Sequence, residues 1–251
     1  MKDKIVCKSD AEIEKMRLSG RITRQVLEEV QRRVHPGVTT LDLEGYVERR
    51  LQEFGAAPAF KGYRGYPACL CASVNDEIVH GIPSHRRLKE GDIVSLDLGV
   101  VTEGYYSDAA ITVPVGDISE PLKKLLRVTK ESVALAIEKA RVGNRVGDIS
   151  ATIQEHAESH GFAVVRDLCG HGIGRQLHEE PQVPNFGRPG HGPLLKAGMV
   201  VAIEAMVNAG GYAMRVADDH WTALTADGSF SAHFEDVVAV TRNGPDILTQ
   251  P

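Results

Sequence analysis

Three acids stand where acids are costly. Asp97 lies inside the apolar run IVSLDLGVV, Glu204 inside MVVAIEAMV, and Glu235 opens EDVVAV just after Phe234. An ionised carboxylate in a dry interior is neutralised, paired or bound to a metal. Asp108 is a fourth case, in YYSDAAITV, which follows the first run across Glu103-Gly104. The pair of runs predicts a β-hairpin. With its turn centred on Thr102-Glu103, Asp97 and Asp108 are directly opposite on one face, about 5 Å apart at Cβ. Two like charges near 4 Å repel by about 4 kcal/mol at a surface-like dielectric, so something positive must offset them. Neither run contains a Lys or Arg.

The segment CGHGIGRQLHEEPQVPNFGRP, from Cys169 to Pro189, supplies imidazoles at His171 and His178 among glycines that allow close backbone approach to a ligand. No GKS or GKT follows, which sets aside a phosphate-cradling loop. His156 and His160 share a helix face, but HAESH is not the HExxH of a zinc protease, and they read as a solvated face. Cys69 and Cys71 are too close for a standard structural zinc pair and read as thiols.

Helices and strands in a repeated order must position these groups. Ser9 and Glu12 form a capping box before a helix stopped at His35-Pro36-Gly37, and Thr39 or Thr40 caps a second helix ended by Gly55. The hairpin strands, Ile93 to Val101 and Tyr105 to Val113, come next. The order then recurs: a helix from Ser119-Glu120-Pro121 to near Gly143, another capped by Asp148 and ended at Gly161. Strand-like runs follow at Phe162 to Val165, Met199 to Val207 and Glu235 to Thr241. The expectation is one α+β domain over residues 1–251, with two similar helix-helix-strand halves around a central sheet.

Composition excludes several classes. Hydrophobic content of 42% and charged content of 25% over 251 residues are those of a globular protein. A net charge of −5 without a Lys/Arg block gives no nucleic-acid-binding signature. The start, MKDKIVCKSD, has no signal-like apolar run, and nothing elsewhere approaches a membrane span. Four cysteines without framework spacing point to reduced thiols in the cytoplasm.

Together these segments resemble the type I methionine aminopeptidases, of the pita-bread fold, from about Ile5 to Thr249. The match is carried by EIEKMRLSGR, GYRGYPACLCASVNDEIVHGIP, DLGVVTEGYYSDAA, CGHGIGRQLHEEPQVPNFG, IEAMVNAG and SAHFEDVVAVT with its TRNGPDILT end. The resemblance implies two divalent ions, with Asp97 on one, Asp108 and Glu235 bridging both, and His171 and Glu204 on the second. Four carboxylates balance two divalent charges, and the donor set suits Mn, Fe, Co or Zn. It implies a bridging water activated by both metals as nucleophile on the first peptide bond of a peptide or nascent-protein N-terminus. His80 would lie near the substrate amine, His178 would stabilise the oxyanion, and Glu204 would double as a proton acceptor. Phe60, Tyr63, Tyr66, Cys71, Leu177 and Trp221 would enclose the methionine side chain, with His80 and His178 binding the substrate beside them. Leu177 stands where many members carry Phe, Ala205 where Pro is usual, Gly99 where some have Thr, and His220 where Gly is common. A monomer is expected and ribosome proximity is left open, but no ribosome contact is indicated, since the sequence shows no zinc-binding N-terminal extension. Two rivals share the fold: a prolidase or aminopeptidase P, which usually carries an extra N-terminal domain, and a binding protein that has lost catalysis.

Overall fold

The computed structural model describes residues 5–250. In the first half, α1 (Asp10–Gln31) and α2 (Thr40–Glu53) are followed by β1 (Ala57–Pro58), β2 (Leu70–Val74) and β3 (Glu77–Val79). The hairpin β4 (Ile93–Thr102) and β5 (Tyr105–Pro114) completes it. The second half has α3 (Glu120–Ile137), α4 (Val146–Ser159), β6 (Ala163–Val164), β7 (Cys169–Gly172) and β8 (Glu179–Pro184). It continues through β9 (Val200–Asn208), β10 (Met214–Val216), β11 (Ala223–Thr225), β12 (Ser231–Thr241) and β13 (Gly244–Ile247).

Local chemistry explains the helix starts. Ser9 with Glu12, and Thr39 with Asp42, form reciprocal capping boxes at α1 and α2, each cap being worth about 1 kcal/mol. Asp148 is not the cap of α4. Arg145 holds that position, and the Asp148 carboxylate reaches back to accept from its backbone N–H at 2.7 Å. An acid at the third helical position serves the same orphan donor as a cap one turn earlier. Helix α3 stops at Ile137, short of Gly143, as the chain tightens into turns with Lys139 N–H bonded to the Ala136 carbonyl. His156 is half-buried rather than free on a solvated face, its Nε2 3.2 Å from Glu131 of α3.

The main sheet runs β1-β4-β5-β12-β9-β7-β8, and every pairing in it is antiparallel. The first half supplies β4 and β5, the second β9 and β12, and the halves meet where β5 lies beside β12. One apolar cluster joins α1 and α2 to β2, β4 and β5, and another joins α3 and α4 to β9 and β12. Phe234 packs against both. The helices therefore mainly back one face of the sheet; on the other, Ile13 and Met16 of α1 pack with Val200, Ala202, Val237 and Ala239, and the rest of that face carries the site. A smaller sheet, β10-β11-β3, flanks it.

The hairpin corrects the expected register. The turn is Glu103-Gly104, not Thr102-Glu103, with φ of 50° and 77°. A two-residue loop with both central residues at positive φ matches the strand twist, which places Thr102 opposite Tyr105. Asp108 consequently faces Gly99, and Asp97 faces Ala110. The two aspartates are diagonal neighbours, still on one face. β12 also starts earlier than expected, at Ser231, because Ser231 to Phe234 pair with Asn208 to Ala205.

Candidate metal centre

Register alone brings the acids together. Asp97 pairs with Ala110, Ala110 with Glu235, and Glu235 with Glu204, in a row across β4, β5, β12 and β9. Directly opposed residues share a face, and so do residues two apart along a strand. Asp108 is two residues from Ala110. His171 pairs with Ala202, two residues from Glu204. All five side chains thus leave the same face of five adjacent strands. Asp108, His171 and Glu235 each offer a ligand atom within 4.8 Å of the others.

The electrostatics are those of a site built for a cation. Burial pushes the Asp97 carboxyl up to about 6, partly offset by His233. Burial, then the neighbouring Asp97 and Glu204, hold Asp108 well above the usual carboxylate range. Burial and Asp108 do the same to Glu235. Glu204 goes the other way: burial raises it, but the His233 imidazole, followed by His171 and His80, brings it below its ordinary value. Asp97 Oδ1, Asp108 Oδ1 and Glu235 Oε1 are buried oxygens with no hydrogen-bond partner. Such atoms are costly unless a ligand completes them. The His171 Nδ1–H donates to the Gly172 carbonyl at 2.9 Å, leaving Nε2 to bind. Oxygen donors with one imidazole fit a divalent cation.

Above this floor is a cleft of about 190 Å³. Its lining includes Asp97, Asp108, His171, Glu204 and Glu235, together with Phe60, Tyr63, Tyr66, Cys71, His80, Leu177, His178 and Trp221. The structure brings the metal-ligand, catalytic and pocket candidates of the sequence to one cleft, and leaves His156, His160 and Cys69 outside it. Trp221 stands edge-on to Tyr66, ring centres 5.1 Å apart, and to His80 at 6.4 Å. His178 lies 4.2 Å from the His171 ring, and its Nδ1 is 2.8 Å from the Tyr63 hydroxyl. Burial, then His171, pushes the His178 imidazole down to about 4. A groove of about 640 Å³ adjoins at His171 and His178, lined also by Lys8, Arg64, Arg175 and Glu179.

Two of the unusual positions acquire physical reasons. A side chain at Gly99 would place Cβ 2.6 Å from the Phe60 ring and 2.7 Å from the Ala59 Cβ, so Gly99 makes room for Phe60. His220 has φ of 64°, a conformation glycine adopts without strain. Leu177 is buried in the cleft wall, and for Ala205 the structure shows only that it is buried.

Arg64, Val79 and His233 also line the cleft and were not picked out from the sequence. For His233 a signal existed. It sits two residues before Glu235, hence on the same strand face, but a strand taken to begin at Glu235 leaves it outside. Arg64 and Val79 gave none, since their placement depends on how the loop around Tyr63 and the small sheet fold over the site.

Acids and an imidazole on one sheet face, beneath an aromatic cleft, define a metalloenzyme. The family model described as Metallopeptidase family M24 matches residues 14–242, and the chain belongs to that family, whose members use divalent metal. Within it the chain is similar to methionine aminopeptidases. The methionine aminopeptidase of Clostridium perfringens (strain 13 / Type A) is 54% identical over 245 residues, covering 98% of each chain. The crystal structure of methionine aminopeptidase from Thermotoga maritima matches with a TM-score of 0.97 and 48% identity, over 99% of this chain and 100% of that one. The Xaa-Pro dipeptidase from Bacillus anthracis shares the pita-bread fold alone, at a TM-score of 0.80 and 23% identity, this chain spanning 62% of its length. No helix among the described residues is long and apolar enough to cross a membrane.

Proposed function

We propose that the chain removes the N-terminal methionine of peptides and nascent proteins whose second residue is small, as one catalytic domain over residues 1–251. The observation that carries this reading is the meeting of the buried carboxylate row with the aromatic cleft in one cavity. Asp97, Asp108, His171, Glu204 and Glu235 would hold two divalent ions, since four carboxylates balance two such charges. Mn, Fe, Co and Zn all suit the donors. When bound, these ions supply Lewis acidity, polarising the scissile carbonyl and lowering the pKa of a water.

The chain's own groups do the rest. Phe60, Tyr63, Tyr66, Cys71, Leu177 and Trp221 enclose an unbranched thioether, which adapts to an irregular aromatic pocket. The Tyr63 hydroxyl is 2.8 Å from His178 Nδ1, and with the hydroxyl as donor the imidazole proton sits on Nε2. A neutral His178 can then donate to the carbonyl oxygen as charge develops there. His80, set against Trp221 on another wall, is placed for the substrate amine. Glu204, ionised at neutral pH, accepts a proton from the attacking water. The groove beyond His171 and His178 gives the rest of the peptide a path outward. The thiols of Cys7, Cys69, Cys71 and Cys169 are all free, which supports a cytoplasmic setting. The reading extends to a monomer working on chains as they leave the ribosome.

The test is hydrolysis of a Met-Ala peptide and an Xaa-Pro dipeptide, with chelator and with added metal. Met-Ala cleavage that chelation abolishes and metal restores is expected, with Met-Lys, Met-Leu and Met-Phe peptides cut poorly. Preference for Xaa-Pro would transfer the assignment to an X-Pro peptidase. Tight metal binding without hydrolysis of either peptide would make the chain a binding protein.

A further inference from the structure

His233 is 1% exposed, lines the cleft, and neither ring nitrogen has a well-aligned hydrogen-bond partner. Its Nε2 lies 3.3 Å from Glu204 Oε2 and 3.9 Å from Glu235 Oε2. The register explains the approach. Glu235 is opposite Glu204, so His233, two residues earlier on the same face, is the diagonal neighbour of Glu204.

The backbone of His233 is held in an unusual way. Between β5 and β12 the ladder pairs Glu235 with Ala110. At His233 the Thr112 side chain takes over, its Oγ1 accepting from the His233 N–H at 2.8 Å and donating to the His233 carbonyl at 2.9 Å. The Ser95 hydroxyl, 2.8 Å away, donates in turn to Thr112 Oγ1, which satisfies that oxygen completely. Ser95 and Thr112 face each other across the same hairpin that carries Asp97 and Asp108. The hydroxyl pair therefore ties the height of His233 in β12 to the strands bearing the aspartates.

We propose that His233 is a positioning residue for Glu204: its Nε2, 3.3 Å from Glu204 Oε2, pairs with that carboxylate and steers it, and the Ser95–Thr112 hydroxyl pair locks the imidazole at the height where that contact forms. This rests on the metal-centre reading of Glu204. A ligating carboxylate steered by a neighbouring donor presents its free oxygen in a fixed direction, and losing such a partner typically costs about 10- to 100-fold in metal affinity. Leucine approximates the imidazole in bulk but cannot donate. Glutamine can.

The experiment is metal binding, measured as Mn²⁺ affinity and stoichiometry by calorimetry, on wild type, His233→Leu, His233→Gln, Thr112→Val, Glu204→Gln and the double variant His233→Leu/Glu204→Gln. The expected result is weaker binding of the second ion in His233→Leu by about 10- to 100-fold, with most affinity restored in His233→Gln. The expected loss in Thr112→Val is smaller, and His233→Leu should cost little more once Glu204 is already Gln. Wild-type affinity in His233→Leu overturns the proposal. So does an equal loss from His233→Leu with and without Glu204, which would make His233 a direct ligand or a general structural support. If His233→Leu does not fold, unchanged affinity in Thr112→Val overturns it instead. Undiminished binding in Glu204→Gln would be the failure of the metal-centre reading itself, a different outcome from either.

Discussion

At the scale of single residues, the proposed site divides into groups that would hold metal and groups that would act beside it. His171 presents Nε2 because Nδ1 is committed to the Gly172 carbonyl. His178, a ring's width away, is instead held by Tyr63 and faces the cleft. Replacing them should have different consequences. His178→Ala should lower kcat by about 10²-fold, the scale of one lost oxyanion donor. Its metal content and KM should be nearly unchanged, because an interaction made in the transition state leaves ground-state binding alone. Steady-state kinetics with metal analysis on the same sample checks this, and a near-wild-type kcat with metals bound removes the role. His171→Ala should lose metal affinity and regain part of its activity as metal concentration rises. A variant that keeps two tightly held ions would show that His171 is not a ligand.

At the scale of elements, the β4–β5 hairpin decides more than its length suggests. Its two-residue turn sets Asp97 and Asp108 on a diagonal, and Gly104 suits the positive φ required there. Glu103 does not: a side chain at φ of 50° carries strain that asparagine tolerates better. Its ion pair with Lys15, at 3.3 Å and about half exposed on both sides, offsets little. Glu103→Asn should therefore stabilise the fold by about 0.5–1 kcal/mol, seen as a raised denaturation midpoint with activity unchanged. A lowered midpoint would mean the Lys15 contact outweighs the strain.

At the scale of the whole molecule, the carboxylate row stores a charge problem that couples stability to metal. Asp97, Asp108 and Glu235 hold their protons more tightly in the fold than in the unfolded chain, Asp97 to about 6. A raised folded pKa adds stability that is complete below the ordinary carboxylate range and lost as pH rises through the folded value. His80, His171 and His178, whose imidazoles burial holds below their ordinary value, run the opposite way in this window, His233 runs with the three acids, and Glu204 titrates below it. The metal-free protein should accordingly melt at a lower temperature at pH 7.5 than at pH 5. Divalent metal should raise the melting temperature more at pH 7.5, where the carboxylates no longer need to lose protons to bind it. Scanning calorimetry with chelator and with metal at both values decides it. A metal-free protein more stable at pH 7.5 would show that other groups dominate its acid response.

Much of this was legible in the sequence because strand geometry is local. Side chains alternate faces with a period of two, so an acid inside an apolar run marks a buried charge wherever the strand lies. The capping box at Ser9, a cap at Thr39 or Thr40, and the order of two matching halves were readable for the same reason: each depends on neighbours a few positions away. The resemblance of whole segments selected which acids and histidines belong together, a choice that alternation alone could not make. Register lay beyond that reach. The diagonal of Asp97 and Asp108 depends on the backbone hand of one turn, which shifts every opposed pair in the hairpin. The meeting of the halves depends on Glu235 pairing with Ala110 across 124 intervening residues. His233 acquires its place beside Glu204 only through that long-range pairing. The types of group in the site are a property of the chain, and their distances are a property of how its strands align, which only packing of the two halves decides.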